Sequence, residues 1–162
     1  MIVLVMGVSG SGKTTIGEAL ARELGWKYLD ADDYHPKANV AKMASGVPLE
    51  DADRWPWLEK INEELLKIQD EDRSAVVGCS ALKQAYRERL ARGLRDFKVV
   101  YLRGDFGLLQ SRIAARKHRF MPPTLLQSQF DALEPPAHAV EVDVSAPVES
   151  SLSKIKKQLR QR

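Results

Sequence analysis

Residues 7–14 read GVSGSGKT and match the phosphate-loop pattern G-x-x-x-x-G-K-[ST] at every defined position. The six residues before the loop, MIVLVM, are apolar and predict a buried parallel strand. A helical pattern follows the loop directly, so the motif lies between a strand and a helix, as a phosphate loop requires. This context predicts that the chain binds a nucleoside triphosphate.

The chemistry of the loop gives its residues distinct tasks. Its glycines let backbone N–H groups turn toward an anion at the positive end of the following helix. Lys13 is predicted to reach the β- and γ-phosphates, and the Thr14 hydroxyl is predicted to bind Mg²⁺. The predicted nucleotide-binding residues of this segment are Gly7, Val8, Ser9, Gly10, Ser11, Gly12, Lys13, Thr14 and Thr15.

Length and composition fit one domain spanning residues 1–162, with 44% hydrophobic and 29% charged residues. The formal net charge of +3 suits nucleic acid or polyanionic substrates, but no basic patch with interleaved aromatic residues is present, so no nucleic-acid partner is expected. Cys79 is the only cysteine, which fits a reducing compartment. Because the sequence contains no secretory signal and no membrane-spanning apolar run, we expect a cytoplasmic protein without a membrane partner.

Five strand-like apolar runs alternate with helical stripes along the chain. This alternation predicts a three-layer α/β phosphate-loop fold, with a five-stranded parallel sheet flanked by helices. Residues 33–53 and 118–123 do not follow this alternation of strands and helices. We expect both segments at the carboxyl ends of strands, where open α/β sheets bind ligands. The predicted strands are residues 2–6, 27–29, 75–79, 98–102 and 139–144.

Local signals predict where several helices begin and end. Gly25 is a natural stop for the helix after the phosphate loop. Asp53 is predicted to cap the next long helix, with Pro56 in its first turn. Ser80 and Asp105 are predicted as the N-caps of two later helices.

Three acidic residues lie where the second strand ends, in LDADDYHP at residues 29–36. Asp30 and Asp32 are two apart, so an extended backbone points both to one side and turns Asp33 away. Two carboxylates at the rim of this sheet suit Mg²⁺ positioning and acceptance of a hydroxyl proton. His35 fits either a contact with a polar substrate or an ordinary position in a turn.

Basic residues form two further groups. Lys83 and Arg87 are four apart in a predicted helix, where one face could hold an anionic substrate group or simply be solvated. Arg112 and Arg116 are one helical turn apart and lead into the break at residues 122–123. Arginines on a flap can clamp phosphates and neutralise transition-state charge, and a solvated helix face is the alternative.

These stretches together resemble the gluconate kinase family, carbohydrate kinases built on the nucleoside-monophosphate-kinase-like phosphate-loop fold. The resemblance spans almost the whole chain. Beyond the phosphate loop and LDADDYHP it is carried by KMASGVPLEDADRWPWL at residues 42–58, CSALKQAYR at 79–87 and QSQFDALEPP at 127–136. The stretch at 42–58 is the specific one, because related nucleotide and shikimate kinases lack it.

The resemblance implies a reaction and a role for each group. ATP would donate its γ-phosphoryl group to the 6-hydroxyl of gluconate, giving 6-phosphogluconate and ADP. Thr14 and Asp30 would bind Mg²⁺, and Arg112 would lie near the nucleotide. The implied catalytic residues are Lys13, Asp32 and Arg116. The implied substrate-binding residues are Asp32, His35, Arg54, Lys83 and Arg87.

The resemblance also implies a homodimer and a small lid at about residues 117–123. The lid departs from the family pattern, because His118-Arg119-Phe120 replaces a Gly-His-Phe-like run, and the role of that histidine stays open. Three other functions share some of these features: a nucleotide or shikimate kinase, a nucleotide-dependent switch without an acceptor, and a nucleic-acid-binding module. ADP production with a panel of acceptors separates them.

Overall fold

Five parallel strands form one sheet within residues 1–115 and 123–161, which the computed structural model describes. The strands are β1 (Ile2–Met6), β2 (Lys27–Asp30), β3 (Ala75–Gly78), β4 (Phe97–Arg103) and β5 (Val140–Asp143). Their order across the sheet is β2-β3-β1-β4-β5, so the strand that leads into the phosphate loop is central, and all its residues are buried. The predicted five-stranded parallel sheet is confirmed.

Seven α-helices flank this sheet in the described part of the chain. They are α1 (Lys13–Leu24), α2 (Lys37–Ala44), α3 (Asp51–Asp70), α4 (Gln84–Ala91), α5 (Phe106–Ala114), α6 (Pro123–Ala132) and α7 (Val148–Arg160). Because side chains alternate along β1, Leu4 and Met6 pack toward α3 and α4, whereas Val3 and Val5 pack toward α1, α5 and α7. The predicted three-layer architecture is confirmed. None of the described helices has the length and apolar character needed to cross a membrane.

Two of the four predicted helix boundaries are confirmed and two are wrong. Gly25 ends α1 with a φ of +72°, and the Asp105 carboxylate accepts a hydrogen bond from Leu108 N at 2.8 Å. Helix α3 begins at Asp51 rather than after Asp53, whose carboxylate accepts from the backbone N–H of Glu50 at 2.9 Å. Pro56 consequently lies inside the helix rather than in its first turn.

The predicted N-cap at Ser80 is also wrong. Helix α4 begins only at Gln84, with Lys83 as its N-cap, and Ala81 before it has a φ of +43° that no helix permits. Helix α2 was not predicted because it lacks an apolar stripe: Val40 and Met43 are exposed. The predicted lid and Arg116 lie outside the described residues, except for Pro123, which begins α6.

Candidate active site

The loop between β1 and α1 wraps around the amino end of α1. Gly10 and Gly12 have φ values of +83° and +93°, a left-handed region that favours glycine. Gly12 is also the N-cap of α1, and it has no side chain to occupy the first N–H groups of the helix. These N–H groups and the helix dipole therefore make the loop an anion-binding site.

The Lys13 ammonium group is held at this anion site. Its Nζ donates to the backbone carbonyls of Gly7 at 3.1 Å and Val8 at 3.2 Å. The side chain thus folds back along the loop instead of extending into solvent. Its charge therefore lies within the loop, where a phosphate-loop lysine can contact the phosphates of a nucleotide.

A carboxamide from α6 joins that helix to the phosphate loop. Gln129 Oε1 accepts from Ser9 N at 2.8 Å, and Gln129 Nε2 donates to Ser9 Oγ at 3.0 Å. Both ends of the amide are used on one loop residue, which fixes the orientation of the amide group. The placement of α6 is therefore coupled directly to the loop.

A cavity of about 340 Å³ opens beside the loop. Gly10, Gly12 and Thr15 line one side of it, and Arg112 and Val144 line another. Arg112 Nη2 donates to the Val144 carbonyl at 2.6 Å, which holds the guanidinium in the wall. The cavity is large enough for the base and ribose of a nucleotide whose phosphates occupy the loop.

The carboxyl end of β2 differs from the prediction. The strand ends at Asp30, and residues Ala31–Tyr34 form a short 3₁₀ helix. The Asp30 carboxylate caps this helix by accepting from Asp32 N at 3.0 Å. Asp32 is therefore oriented by a helical turn, so the extended backbone from which its alignment with Asp30 was predicted is not present at this position. Its side chain is 72% exposed, with Oδ1 4.0 Å from His35 Nε2.

The predicted Mg²⁺ ligands, Thr14 and Asp30, have a common neighbour in Tyr28. Burial raises the pKa of Tyr28 to about 12, the Thr14 hydroxyl opposes this shift, and the charge of Asp30 adds to it. The oxygen atoms of both side chains therefore act on one phenol, and oxygen atoms are the donors that Mg²⁺ prefers. Within residues 1–115 and 123–161 no group of three or more His, Cys, Asp or Glu could hold a metal by itself. Phosphate oxygens and water would have to complete the shell, as is usual for Mg²⁺.

His35 lies beside Asp32 and is almost entirely buried, with 5% of its side chain exposed. Its ring stacks on Trp57, with 4.1 Å between the ring centroids and 13° between the planes. Burial lowers the pKa of His35, the Asp32 carboxylate raises it, and the charge of Arg54 lowers it. The structure thus brings three predicted substrate residues, Asp32, His35 and Arg54, into one neighbourhood.

Arg54 and Lys83 gather around the ring of Tyr86. Arg54 Cζ lies 5.6 Å and Lys83 Nζ 6.0 Å from the ring centroid. The Tyr86 hydroxyl donates to Asp51 Oδ1 at 2.5 Å, and Arg54 Nη1 donates to the same oxygen at 3.1 Å. The Tyr86 hydrogen bond is the main reason that the pKa of Asp51 is lowered, with smaller contributions from Lys83 and Arg54. The result is a positioned cluster of two cations and one carboxylate, which carries net positive charge.

Arg87 lies away from this cluster and is only 3% exposed. Its guanidinium donates to the carbonyls of Ala81 and Glu134, both at 2.7 Å, and twice to Gln84 Oε1, at 3.1 and 3.2 Å. Since Lys83 precedes α4, the prediction that the two cations share a helical face is wrong. Burial lowers the pKa of Arg87, and its contacts brace the loop that carries Lys83.

Sequence reasoning missed residues that act through other side chains. Tyr86, Asp51 and Gln129 were not identified as candidates. Their roles depend on partners distant in sequence, so no local pattern marks them. The one available signal was membership in the stretches at residues 42–58, 79–87 and 127–136, where the family resemblance is strongest.

The parallel sheet, the phosphate loop and the cation cluster define a P-loop kinase that acts on a small molecule with ATP. A family model described as an AAA domain matches residues 2–136. A mouse protein named probable gluconokinase is 47% identical over 171 residues, covering 95% of this chain and 92% of its own. The thermoresistant gluconokinase of Escherichia coli K12 is 40% identical over 164 residues, covering 96% and 94%.

A solved structure gives the same result. The crystal structure of a gluconokinase from Sinorhizobium meliloti 1021 has a TM-score of 0.86 and 40% sequence identity, covering 97% of this chain and 90% of that one. The chain belongs to the gluconokinase family, and the resemblance stated from its motifs is confirmed.

Proposed function

We propose that this protein transfers the γ-phosphoryl group of ATP to the 6-hydroxyl of D-gluconate, giving 6-phospho-D-gluconate and ADP. The observation that carries the proposal is the fixed pair of cations, Arg54 and Lys83, around Tyr86. Gluconate offers a carboxylate to these cations and hydroxyl groups to the neighbouring Asp32 and His35. The names and coverage of the relatives support the same acceptor.

On the acceptor side, charge attraction and hydrogen bonds orient the sugar acid. Arg54 and Lys83 bind its carboxylate, because guanidinium and ammonium groups form strong charge-assisted hydrogen bonds with carboxylates. Asp32 is exposed, and its carboxylate accepts the proton of the attacking hydroxyl. Arg87 stabilises the loop that carries Lys83 through its hydrogen bond to the Ala81 carbonyl, and it does not touch the acceptor in this proposal.

On the donor side, the loop and the amino end of α1 hold the phosphates, and the base occupies the cavity lined by Arg112. Lys13 neutralises charge on the transferring phosphoryl group, and Arg116 does the same by the family resemblance. Thr14 and Asp30 would hold Mg²⁺ together with the phosphates, and the metal would supply positive charge that offsets the negative charge of the phosphates. Catalysis consists mainly of positioning and charge neutralisation.

The test is ADP production with a panel of acceptors: gluconate, other aldonates, glucose, shikimate and nucleoside monophosphates. We expect gluconate to react best, and glucose much more slowly because it lacks the carboxylate. A panel in which glucose, shikimate or a nucleotide outperforms gluconate would overturn the proposed acceptor. ATP hydrolysis that no acceptor stimulates would instead indicate a nucleotide-dependent switch.

A matched pair of variants localises the carboxylate site. Lys83→Met should raise KM for gluconate by about 10- to 100-fold, the usual effect of losing one hydrogen bond to a charged group. KM for glucose should change little, because glucose has no carboxylate to lose. Lys60→Met is the control, since Lys60 is an exposed lysine on α3.

Further parts of the proposal concern assembly and location. By resemblance to the family we propose a homodimer in the cytoplasm, built from one kinase domain per chain and binding neither nucleic acid nor membrane. Light scattering after size-exclusion chromatography measures the assembly, and cell fractionation measures the location. A monomeric mass at micromolar concentration would contradict the dimer.

A further inference from the structure

A buried polar cluster lies behind the acceptor side of the site. His35 is stacked on Trp57, and Trp57 Nε1 donates to the Ala31 carbonyl at 2.7 Å. The plane of the imidazole is therefore fixed by an indole that is itself anchored to the backbone. What remains to be determined is which ring nitrogen carries the proton, because that decides what the ring can donate or accept.

Asn39 determines the position of that proton. It is 3% exposed, and its Nδ2 lies 3.0 Å from the Asp53 carbonyl oxygen and 3.2 Å from His35 Nδ1. A carbonyl oxygen only accepts, so the group that faces it must be the NH₂ end of the amide. The same NH₂ group faces His35 Nδ1 and can only donate to it. Nδ1 is consequently an acceptor, and the neutral ring carries its proton on Nε2.

The protonated nitrogen faces the exposed carboxylate of Asp32. The distance from Nε2 to Asp32 Oδ1 is 4.0 Å, too long for a direct hydrogen bond. One hydroxyl oxygen can bridge this gap with two bonds of ordinary length, about 2.9 Å from Nε2–H and about 2.7 Å to the carboxylate, meeting at about 90°. A neutral N–H donor beside a carboxylate acceptor thus matches a group that both accepts and donates, which is the property of an alcohol.

We propose that Asn39 is a positioning residue that holds His35 as the Nε2–H tautomer, so that His35 and Asp32 together recognise one hydroxyl group of the acceptor. The hydroxyl accepts from His35 and donates to Asp32. His35 therefore cannot remove the hydroxyl proton, and that task stays with Asp32. The recognition part rests on the proposed function, whereas the tautomer does not depend on which acceptor is used.

Burial supports a neutral ring, since desolvation is the main cause that lowers the pKa of His35. Two charged groups act on the ring: Asp32 raises that pKa and Arg54 lowers it. Asp53 contributes its uncharged backbone carbonyl to the cluster. A sugar acid bound through Arg54 would therefore meet a neutral donor rather than a second cation.

The first experiment measures the tautomer directly in the substrate-free protein. Histidine is labelled with nitrogen-15, and long-range nitrogen–proton NMR spectra distinguish protonated from unprotonated ring nitrogens. The chain has three histidines, and His35→Phe assigns the signal while keeping an aromatic ring on Trp57. We expect a protonated Nε2 and an unprotonated Nδ1. A ring protonated on Nδ1 would overturn the proposal and leave the gluconokinase assignment intact.

The second experiment separates positioning from a structural effect. Asn39→Leu removes the donor to Nδ1, and we expect mixed tautomers and a KM for gluconate raised by about 3- to 10-fold, the usual effect of losing a neutral hydrogen bond, with KM for ATP unchanged. Asn62→Leu is the matched control, because Asn62 is another buried asparagine whose Nδ2 donates to two backbone carbonyls, those of Leu90 and Arg92. An equal change of KM in both variants would refute a positioning role.

The third experiment keeps the hypothesis testable if Asn39→Leu does not fold. His35→Gln retains an N–H donor near the position of Nε2, whereas His35→Phe retains only the stacked ring. We expect KM for the acceptor to rise in His35→Phe and to be largely restored in His35→Gln. Equal KM values in the two variants would contradict hydroxyl recognition. If the panel identifies another best acceptor, the same comparison is made with it, so this inference and the proposed function fail separately.

Discussion

Replacing Arg87 by methionine tests whether this arginine braces the fold or binds the substrate. Methionine fills a similar volume but donates nothing. The buried Ala81 carbonyl would lose its partner, Gln84 Oε1 would lose both hydrogen bonds from the guanidinium, and the Glu134 carbonyl would lose one. An unsatisfied buried acceptor costs about 1–3 kcal/mol and the loss at each of the other two acceptors about 1 kcal/mol, so we expect a loss of about 3–5 kcal/mol in the free energy of unfolding.

The expected loss in the free energy of unfolding can be measured by urea denaturation and by thermal unfolding. For a chain of this size, a loss of about 4 kcal/mol lowers Tm by roughly 8–16 °C. Arg89→Met on the same helix is the control, because Arg89 makes one contact, to Glu59 Oε2 at 3.4 Å, and a surface pair contributes about 0–1 kcal/mol. We expect the urea midpoint to fall clearly only in Arg87→Met.

Kinetics of the same variants decide between the two roles of Arg87. If Arg87 only braces the loop, the folded fraction of Arg87→Met should keep a KM for ATP near that of the unmodified chain. The KM for gluconate should then rise less than in Lys83→Met. If Arg87→Met is as stable as Arg89→Met but binds gluconate much more weakly, the bracing argument fails and the substrate role implied by the sequence is correct.

Three further predictions concern the chemistry of the site. Lys13→Ala removes the charge held at the phosphate loop and should reduce turnover by about 10²–10³-fold with an unchanged circular dichroism spectrum; near-normal turnover would exclude the phosphate-loop mechanism. Asp32→Asn should reduce turnover by about 10²–10⁴-fold at saturating substrates while Asp33→Asn changes it little, and equal effects would mean that the proton acceptor is misassigned. Gln129→Glu keeps an acceptor for Ser9 N–H but adds a negative charge beside the phosphates, so calorimetry should show weaker ATP binding than in Gln129→Ala. Stronger ATP binding in Gln129→Glu than in Gln129→Ala would contradict the inference that Gln129 lies beside the bound phosphates.

The donor half of the site could be predicted from the sequence because its signals are local. A strand, a glycine loop and a helix contiguous in the chain form the anion site, and backbone conformation alone creates it. The acceptor half was predicted by residue type but not by geometry. Asp32 was placed by strand alternation, and the structure places it by a 3₁₀ turn capped by Asp30. Strand alternation cannot indicate where a strand ends, because that depends on a side-chain cap.

Tertiary contacts explain the other failures. Spacing suggested that Lys83 and Arg87 act together, but the left-handed backbone of Ala81 delays the start of α4 and separates them. Arg87 is satisfied by Glu134, 47 residues further along the chain, and no local pattern can reveal such a partner. Tyr86 has a buried ring, and only the structure shows that its hydroxyl donates to Asp51.

The physical role of the family-specific stretch at residues 42–58 follows from its internal contacts. The Asp53 carboxylate accepts from Lys42 Nζ at 2.9 and 3.0 Å and from the Glu50 backbone at 2.9 Å, which ties α2 to the start of α3. The Asp53 carbonyl then orients Asn39, while one residue later Arg54 joins the cation cluster. One short segment therefore supplies both the carbonyl that orients Asn39 beside His35 and the Arg54 guanidinium, and we propose that His35 binds a hydroxyl group and Arg54 the carboxylate of the acceptor. A kinase whose acceptor lacked a carboxylate or a hydroxyl group would have no use for the proposed arrangement. Under this proposal the stretch at residues 42–58, rather than the phosphate loop, determines which acceptor is bound.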